Sequence, residues 1–595
     1  MSAERRGDAP RGGHPRGGPP RDGSRGDPAA APDGLPPDQP LLAFDDVDLR
    51  IGESEILRGI DFSVRAGTTL GIVGESGSGK SMTALSVMRL LPRGAALSGS
   101  IRFGGRDLAR LDERELQRVR GREIGMVFQE PMTALNPLKT IGSQVTESIR
   151  LHGAREGGEK RGALTREEAE TRARRTLERV GLPAARVSPD RYPHELSGGQ
   201  RQRVVIAIAI ACRPRLLIAD EPTTALDVTT QAAILDLLRE LREEEELALV
   251  LISHDLAVVA GMADELLVMK GGEIVDAGSF GTVFSTRSAP YARSLLEATA
   301  WHPSGDGRRA KGGELLVVDD LVVGYPSGPR RLFGARERHL AVDGVSLRVG
   351  AGESVGLVGE SGCGKSTLAR ALLGLTSIDA GLIRFRGETM VGNEAKGVVV
   401  PRALRREVQV VFQDPYGSFD PRQRVERLVA EPLHLLESKP DRVERRAIVA
   451  AMLARVGIGR EALDRYIHEF SGGQRQRIAI ARALVIEPSL VVLDEAVSAL
   501  DVSVRAQVLA LLDELAADEG LAYLFISHDL SVVRSVTDRV LVMRDGRIVE
   551  EGDSERVFTE PAHPYTRELL SAVPRLPALG DAGEGDGSRH PLARR

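Results

Sequence analysis

Two glycine-rich loops of nearly the same sequence lie 285 residues apart, GESGSGKSM from Gly74 and GESGCGKST from Gly359. Glycines let a backbone wrap with its N–H groups facing a phosphate, while a following lysine reaches the terminal phosphates and a serine hydroxyl coordinates magnesium. Each loop follows an apolar strand pattern and precedes helical spacing, the context that a phosphate-binding loop requires. The candidate nucleotide-binding residues of the two loops are Gly74, Glu75, Ser76, Gly77, Ser78, Gly79, Lys80, Ser81 and Met82, and Gly359, Glu360, Ser361, Gly362, Cys363, Gly364, Lys365, Ser366 and Thr367.

Two acidic pairs, Asp220-Glu221 and Asp494-Glu495, each close an apolar run. A carboxylate at the C-terminal end of a parallel strand lies beside the phosphate loop in this class of sheet. The aspartate can hold magnesium, and the glutamate can orient and polarise an attacking water. Alone, such a pair would only close a strand. Together with the loops, the pairs predict phosphoryl transfer.

The segments LSGGQRQRVVIAIAI from Leu196 and FSGGQRQRIAIARAL from Phe470 place Ser-Gly-Gly before a helical run. This pattern is typical of an N-cap that leaves room for a phosphate against backbone amides. Because each half already has a phosphate loop, we expect this second site to serve a nucleotide bound to the other half, with the halves facing each other head to tail. The candidate residues are Ser197, Gly198, Gly199, Gln200, Ser471, Gly472, Gly473 and Gln474.

The elements that position these residues occur twice along the chain. The spacing between equivalent residues is 285 at the lysines and 274 at the aspartates, because the first copy carries an extra hydrophilic stretch, GAREGGEKRGALTREE. Sequence composition and the repeat predict a disordered tail at 1–40, a domain at 41–300, a linker at 301–313, a second domain at 314–576 and a disordered tail at 577–595.

Within each copy, a β-rich start gives way to apolar strands that alternate with helices, and a charged helical stretch lies between them. Alternating strands and helices indicate a mostly parallel sheet. The predicted fold class is therefore α/β: two tandem domains, each with a mostly parallel core sheet, an antiparallel β part and an appended helical subdomain.

Composition narrows the class of protein. The chain has 595 residues and a net charge of -5, which argues against a dedicated nucleic-acid binder. RGG triplets in the first tail leave RNA contact as an alternative to a simple solvated tail. Two cysteines, Cys212 and Cys363, support no disulfide framework and no cysteine-rich metal site. The most apolar run, VVIAIAIAC, is shorter than the ~20 residues of a membrane span.

Together, the loops, the SGGQ segments, the acidic pairs and the SHD triplets at Ser253–Asp255 and Ser527–Asp529 resemble the ATP-binding cassettes of ABC transporters. The resemblance implies that each half is a P-loop ATP-binding cassette domain and that the TALD and SALD segments sense the opposite cassette. It also implies that His254 and His528 contact the γ-phosphate. The implied catalytic residues are Glu221, Glu495, His254 and His528, and the implied magnesium site residues are Ser81, Gln129, Asp220, Ser366, Gln413 and Asp494.

The two sites are not identical in sequence. Tyr325 stands where the family places an aromatic residue that stacks on adenine, and Ile51 occupies the matching place in the first copy. Stacking contributes ~1–3 kcal/mol per base, so we expect weaker adenine binding in the first site. Met82 also replaces the hydroxyl of Thr367. Because both glutamates are present, both sites are predicted to hydrolyse ATP.

The closing box VFTEPAHPYTRELLSAVP from Val557, and its weaker twin from Val283, resemble oligopeptide/dipeptide/nickel import cassettes. The resemblance implies a fused ATPase subunit at the cytoplasmic face of the cell membrane, with two transmembrane permease subunits and an extracytoplasmic solute-binding protein. Some relatives carry a C-terminal cysteine cluster. None stands here, so we expect no iron–sulfur cluster. Peptide, nickel, glutathione, opine and sugar remain open as substrates.

Two alternatives are a twin-cassette ATPase acting on ribosomes or DNA, and an exporter ATPase. The first class carries a long basic linker or zinc-binding cysteines, whereas this linker is short, the cysteines are dispersed and the net charge is negative. The HPYT box disfavours an exporter. We therefore expect no nucleic-acid partner.

Overall fold

The computed structural model describes residues 39–152, 164–224, 226–285, 288–299, 312–326, 338–392, 400–413, 417–497 and 500–577. Nearly all of both predicted tails, most of the predicted linker and most of the hydrophilic insertion fall outside these ranges. The domain boundaries given above therefore stay a prediction.

The elements of the two copies follow the same order. The first copy contains β1 Leu42–Ile51, β2 Ser54–Val64, β3 Thr69–Gly74, α1 Lys80–Met88, β4 Ala95–Phe103, β5 Arg106–Asp107, α2 Glu113–Val119, β6 Ile124–Val127, α3 Pro131–Ala134, α4 Ile141–His152, α5 Arg166–Arg179, α6 Gly198–Ile210, β7 Leu216–Asp220, α7 Val228–Glu245, β8 Ala248–Ile252, α8 Leu256–Ala260, β9 Glu265–Lys270, β10 Glu273–Gly278, α9 Phe280–Val283 and α10 Pro290–Thr299. The second contains β11 Glu314–Pro326, β12 Arg338–Gly350, β13 Ser354–Val358, α11 Lys365–Leu372, β14 Ala380–Phe385, β15 Glu388–Gly392, α12 Arg402–Glu407, β16 Val408–Val411, α13 Val425–Val429, α14 Arg442–Arg455, α15 Gly472–Leu484, β17 Leu490–Asp494, α16 Val502–Glu519, β18 Ala522–Ile526, α17 Leu530–Val536, β19 Arg539–Arg544, β20 Arg547–Asp553, α18 Ser554–Thr559 and α19 Pro564–Ser571.

Each copy has two sheets. A four-stranded antiparallel sheet has the order β2-β1-β4-β5 in the first copy and β12-β11-β14-β15 in the second. A six-stranded sheet has the order β10-β9-β3-β8-β7-β6, repeated as β20-β19-β13-β18-β17-β16, and all its pairings are parallel except that of the last hairpin. The predicted α/β fold class is confirmed.

The parallel strands are apolar because both faces of the sheet are covered. Every residue of β3, β7 and β8 is buried, including the terminal Asp220 of β7. The strand that leads into the phosphate loop, β3, lies between β8 and β9. The loop and the acidic pair consequently meet at the carboxyl edge of one sheet.

Helices α4, α5 and α6 pack together as the helical subdomain of the first copy. The charged sequence of α5 still places Ala173 and Leu177 in the core at helical spacing, and Thr165 caps its first turn. Helix α6 presents its apolar face to the same core. The SGGQ segment is therefore fixed at the end of a packed helix.

The two copies contact each other directly. Helix α10 of the first copy packs against α16 of the second, and α19 of the second packs against α7 of the first. The side chain of Val228 is buried in the core of the second copy. Within the described ranges, no helix has the length and apolar character needed to cross a membrane.

Candidate functional site

Glycines shape the phosphate loops where a side chain would not fit. Gly79, with φ 104°, is the N-cap residue of α1, and a Cβ added there would meet Leu57 Cδ2 at 2.7 Å. Its counterpart Gly364, with φ 114°, would place a Cβ only 2.0 Å from the carbonyl oxygen of Ala341. Both positions require the left-handed backbone that glycine adopts without strain.

The loop lysines are held inside their own loops. Lys80 Nζ donates to the carbonyl oxygens of Gly74 and Glu75, both at 2.8 Å. Lys365 makes the equivalent bonds at 2.7 and 2.8 Å. Burial lowers the pKa of Lys80, and the nearby carboxylates of Glu221 and Asp220 oppose that shift. A buried ammonium group therefore faces the acidic pair.

Each loop serine bonds to the aspartate that ends β7 or β17, the strand two places from the loop strand in the same sheet. Ser81 Oγ lies 3.1 Å from Asp220 Oδ1, and Ser366 Oγ lies 3.2 Å from Asp494 Oδ1. Burial raises the pKa of Asp220 to about 6 and raises that of Asp494. Hydroxyl and carboxylate oxygens are ligands that Mg²⁺ prefers, and a cation would relieve the cost of burying the carboxylate. The residues present therefore fit a magnesium ion.

Within the described part of the chain, the buried Ser78 hydroxyl in the middle of the first loop has no hydrogen-bond partner. A buried polar atom without a partner carries a desolvation penalty. The counterpart Cys363 is buried in the core of the second copy, so the side chain at this position packs beneath the loop.

Three side chains converge on Glu221. Its Oε2 accepts from Gln129 Nε2 at 3.1 Å and from Thr224 Oγ1 at 2.8 Å, and lies 3.3 Å from His254 Nδ1. Burial alone would raise the pKa of Glu221, but the hydrogen bond and charge of His254 and the bond from Thr224 outweigh it and bring the pKa to about 2. The glutamate is ionised at neutral pH.

The second copy repeats this cluster. Glu495 lies 2.5 Å from Gln413 Nε2 and 3.3 Å from His528 Nδ1. Burial opposes ionisation of Glu495, but the hydrogen bond and charge of His528 outweigh it and lower the pKa. The structure therefore brings together five predicted site residues in each copy. The loop serine contacts the strand aspartate, and the glutamine and the histidine both contact the glutamate.

Both glutamates occupy strained backbone. Glu221 has φ 49° and Glu495 has φ 51°, in the left-handed region that non-glycine residues rarely adopt. The N–H of Glu221 donates to the carbonyl of Ile252, and that of Glu495 to Ile526, both at 2.9 Å. Strain of ~1–3 kcal/mol that persists in both copies is typical of functional positions.

The predicted N-caps of the SGGQ helices are confirmed. Ser197 accepts from the N–H of Gln200, and the Gln200 side chain accepts from the N–H of Ser197. Ser471 and Gln474 form the same capping box on α15. These hydrogen bonds all lie within the first turn of the helix concerned.

Each phosphate loop is also contacted by the other copy. Thr229 Oγ1 of the first copy donates to Glu360 Oε1 at 3.1 Å, and Ser503 Oγ of the second donates to Glu75 Oε1 at 2.9 Å. The Asp227 carboxylate accepts from the backbone N–H of Ser361. The segments that follow TALD and SALD thus reach across to the opposite loop.

Tyr325 lies near the end of β11, paired with His339, and its side chain is exposed. Ile51 ends β1, the equivalent strand. Sequence reasoning missed Thr224, Tyr291 and Tyr565 as site residues. Thr224 stands within the acidic motif, where a hydroxyl near the glutamate is a usable signal. In the sequence, the two tyrosines could be recognised only as members of the closing box and its weaker twin, with no sign that they contact the loops.

The fold and the site define a P-loop nucleotide hydrolase with two tandem cassettes. The model of the ABC transporter family matches residues 57–224 and 342–498, and that of the oligopeptide/dipeptide transporter C-terminal region matches 549–593. The chain belongs to the ATP-binding proteins of ABC transporters, in the peptide-type importer subfamily.

Several curated relatives cover most of the chain. The glutathione import ATP-binding protein GsiA of Escherichia coli O157:H7 is 46% identical over 87% of this chain and 86% of that protein. The protein of the same name from Pectobacterium atrosepticum is 46% identical over 88% of this chain and 87% of its own length. A solved structure, cbiO1 from Clostridium perfringens, is 30% identical, covers 42% of this chain and 91% of that chain, and has a TM-score of 0.36.

The family models and the curated relatives confirm the predicted family and the predicted activity: the chain is an ATPase that energises a peptide-type importer. The importer relatives and the importer C-terminal region favour an importer over both alternatives, a ribosome- or DNA-directed ATPase and an exporter. Membership of this family implies that membrane permease subunits are partners and that the chain works in association with a membrane.

Proposed function

We propose that the two cassettes close head to tail around two ATP molecules, each phosphate loop being completed by the SGGQ helix of the other cassette. The observation that carries this proposal is the pair of reciprocal contacts, Thr229 with Glu360 and Ser503 with Glu75. A side-by-side arrangement of the copies would not bring each loop against the segment after the opposite acidic motif.

Within each site, we assign the roles that the sequence predicts. Lys80 and the loop amides bind the terminal phosphates, and Glu221 orients the attacking water as a hydrogen-bond acceptor. Gln129 and His254 hold that glutamate in place, and the histidine faces the γ-phosphate. Lys365, Glu495, Gln413 and His528 do the same in the second site.

Magnesium would be held by Ser81, Gln129 and Asp220 in the first site and by Ser366, Gln413 and Asp494 in the second. When bound, this cation neutralises charge on the phosphates. The serine–aspartate pairs orient their oxygens toward each other, which supports this assignment.

The proposed cargo is a short peptide. Two relatives of high coverage are named as glutathione import proteins, and glutathione is itself a tripeptide. We assign the chain to the cytoplasmic face of the membrane, with two permease subunits and an extracytoplasmic solute-binding protein. Uptake of labelled glutathione, dipeptides and longer peptides by the reconstituted complex would rank these cargoes.

A disulfide cross-link tests the head-to-tail arrangement. In a full chain carrying Cys212→Ala and Cys363→Ser, the pair Ser471→Cys and Ser76→Cys should cross-link when ATP is trapped by Glu221→Gln and Glu495→Gln. The matched control replaces Ser471→Cys with Ser143→Cys, an exposed serine in the helical subdomain. Failure of the Ser471–Ser76 pair to link under ATP trapping would refute the arrangement.

A further inference from the structure

Each closing-box tyrosine touches the phosphate loop of its own cassette. The hydroxyl of Tyr565, on α19, accepts from the backbone N–H of Glu360 at 3.0 Å. The hydroxyl of Tyr291, on α10, accepts from the N–H of Glu75 at 3.1 Å. The two contacts are equivalent, although the closing box is much weaker in the first copy.

The contact falls on the peptide group that also bonds the loop lysine. The N–H of Glu75 and the carbonyl of Gly74 belong to one peptide unit, and that carbonyl accepts from Lys80 Nζ at 2.8 Å. In the second cassette, Tyr565 holds the N–H end and Lys365 the carbonyl end, at 2.7 Å. Because a peptide group is planar, fixing its N–H also fixes the direction of its carbonyl.

The phenol rings are themselves held in place. Arg544 lies over the ring of Tyr565, 4.7 Å from its centroid, and Lys270 lies over the ring of Tyr291 at 4.4 Å. These cations end β19 and β9, the strands that pair with the loop strands β13 and β3. Tyr565 is 1% exposed. A cation over the face of an aromatic ring attracts it electrostatically, so these contacts favour the observed position of each ring.

The glutamate of the same peptide unit is tied to the other cassette. The Glu75 carboxylate accepts a hydrogen bond from Ser503 of the second copy, and the Glu360 carboxylate accepts one from Thr229 of the first. One loop residue is thus bonded through its N–H to its own C-terminal helix and through its side chain to the opposite cassette.

We propose that Tyr291 and Tyr565 are positioning residues of the two ATP sites, whose hydroxyls orient the first peptide group of each phosphate loop and through it the loop lysine. The proposal rests on the proposed role of the loops in binding ATP. The closing box then has a local task in the nucleotide site, beyond marking the subfamily.

The test uses the full chain with Tyr291→Phe and Tyr565→Phe, which keep both rings and remove only the hydroxyls. Loss of one hydrogen bond per site should raise the KM for magnesium ATP roughly 2- to 10-fold. The kcat should stay within about twofold, because the loop binds ground state and transition state alike. The matched control is Tyr523→Phe, which removes a buried hydroxyl that bonds Val536 in the core.

The control should lower the unfolding temperature and leave KM unchanged. An unchanged KM in the double tyrosine variant, a fall in kcat alone, or an equal rise of KM in Tyr523→Phe would each overturn the proposal. The double variant Lys80→Ala, Lys365→Ala tests the role of the loops in ATP binding separately from the positioning role of the tyrosines. Normal ATP binding by this lysine variant would refute the role of the loops themselves. Lost binding there, with a normal KM in the tyrosine variant, refutes only the positioning role.

Discussion

Glu221 and Glu495 are the residues on which hydrolysis depends most directly in the proposed mechanism. Changing both to glutamine keeps their shape and removes the charge that polarises water. We expect ATP turnover to fall on the order of 100-fold or more. Equilibrium ATP binding should stay near the wild-type value, because the loops and lysines are unchanged.

Turnover and binding measured on the same preparation test this expectation. The two single variants report whether the sites contribute equally, a question raised by Ile51 and Met82 in the first site. A double variant with near-normal turnover would show that another group orients the water.

At the scale of residues, the sequence was sufficient for side chains whose roles follow from spacing along the chain. The loops, the acidic pairs and the SGGQ caps are of this kind. Thr224 and the tyrosines were missed because their contacts depend on where the chain folds back. Tyr565 meets a loop that precedes it by about 205 residues, a distance that no local pattern reveals.

Gly199, the second residue of α6, packs tightly against α7, and the equivalent contact of Gly473 in α15 is looser. A Cβ at Gly199 would lie 2.3 Å from Thr230 Cγ2, whereas one at Gly473 would lie 3.3 Å from Val504 Cγ1. Thr230 also bonds Asp227 through its hydroxyl at 3.2 Å, so its rotation would break that bond.

Gly199→Ala should therefore destabilise the chain by ~1–3 kcal/mol, the usual cost of overpacking. Gly473→Ala, the matched substitution in the other cassette, should have a much smaller effect. Thermal unfolding of the two variants measures the difference. Equal losses of stability in the two variants would show that the Thr230 side chain moves away from the added methyl group without an energetic cost.

The order of elements was predictable because strand, loop and helix are neighbours in sequence. The order of strands in the sheet was not. Strand β3 pairs with β8 and β9, which follow it by roughly 180 residues or more. The apolar sequences of these strands do not indicate which strand pairs with which. Burial on both faces makes such strands alike in composition.

The interface between the cassettes contains an asymmetric group of charges. Asp529 pairs with Arg505 at 2.9 Å, but the residue at the matching place in the first cassette is Gln231. Burial and the charge of Asp529 raise the pKa of Asp255. Burial opposes ionisation of Asp529 too, but Arg505 and the bond from Ser531 outweigh it and lower the pKa.

Asparagine at these two positions should therefore change stability in opposite directions. Each aspartate caps a helix, α8 or α17, and asparagine caps about as well, so the substitutions isolate the charge. Asp529 stabilises the fold above its ordinary pKa of 3.8 and loses this effect as pH falls through its lowered value. The folded state favours the protonated form of Asp255, so this carboxyl stabilises the fold only at low pH. The stabilisation disappears as pH rises through the raised pKa of Asp255.

Near neutral pH, Asp529→Asn should lower the unfolding temperature, because Arg505 loses a charged partner worth ~1.5–3 kcal/mol. The shift should be roughly 2–4 °C for each kcal/mol lost. Asp255→Asn should raise the unfolding temperature near neutral pH, and the gain should shrink as the buffer is made acidic. Equal losses from both substitutions would show that Asp255 carries no unfavourable charge. In that case the single arginine would serve both carboxylates, and the contact between the cassettes would be electrostatically balanced despite its asymmetric sequence.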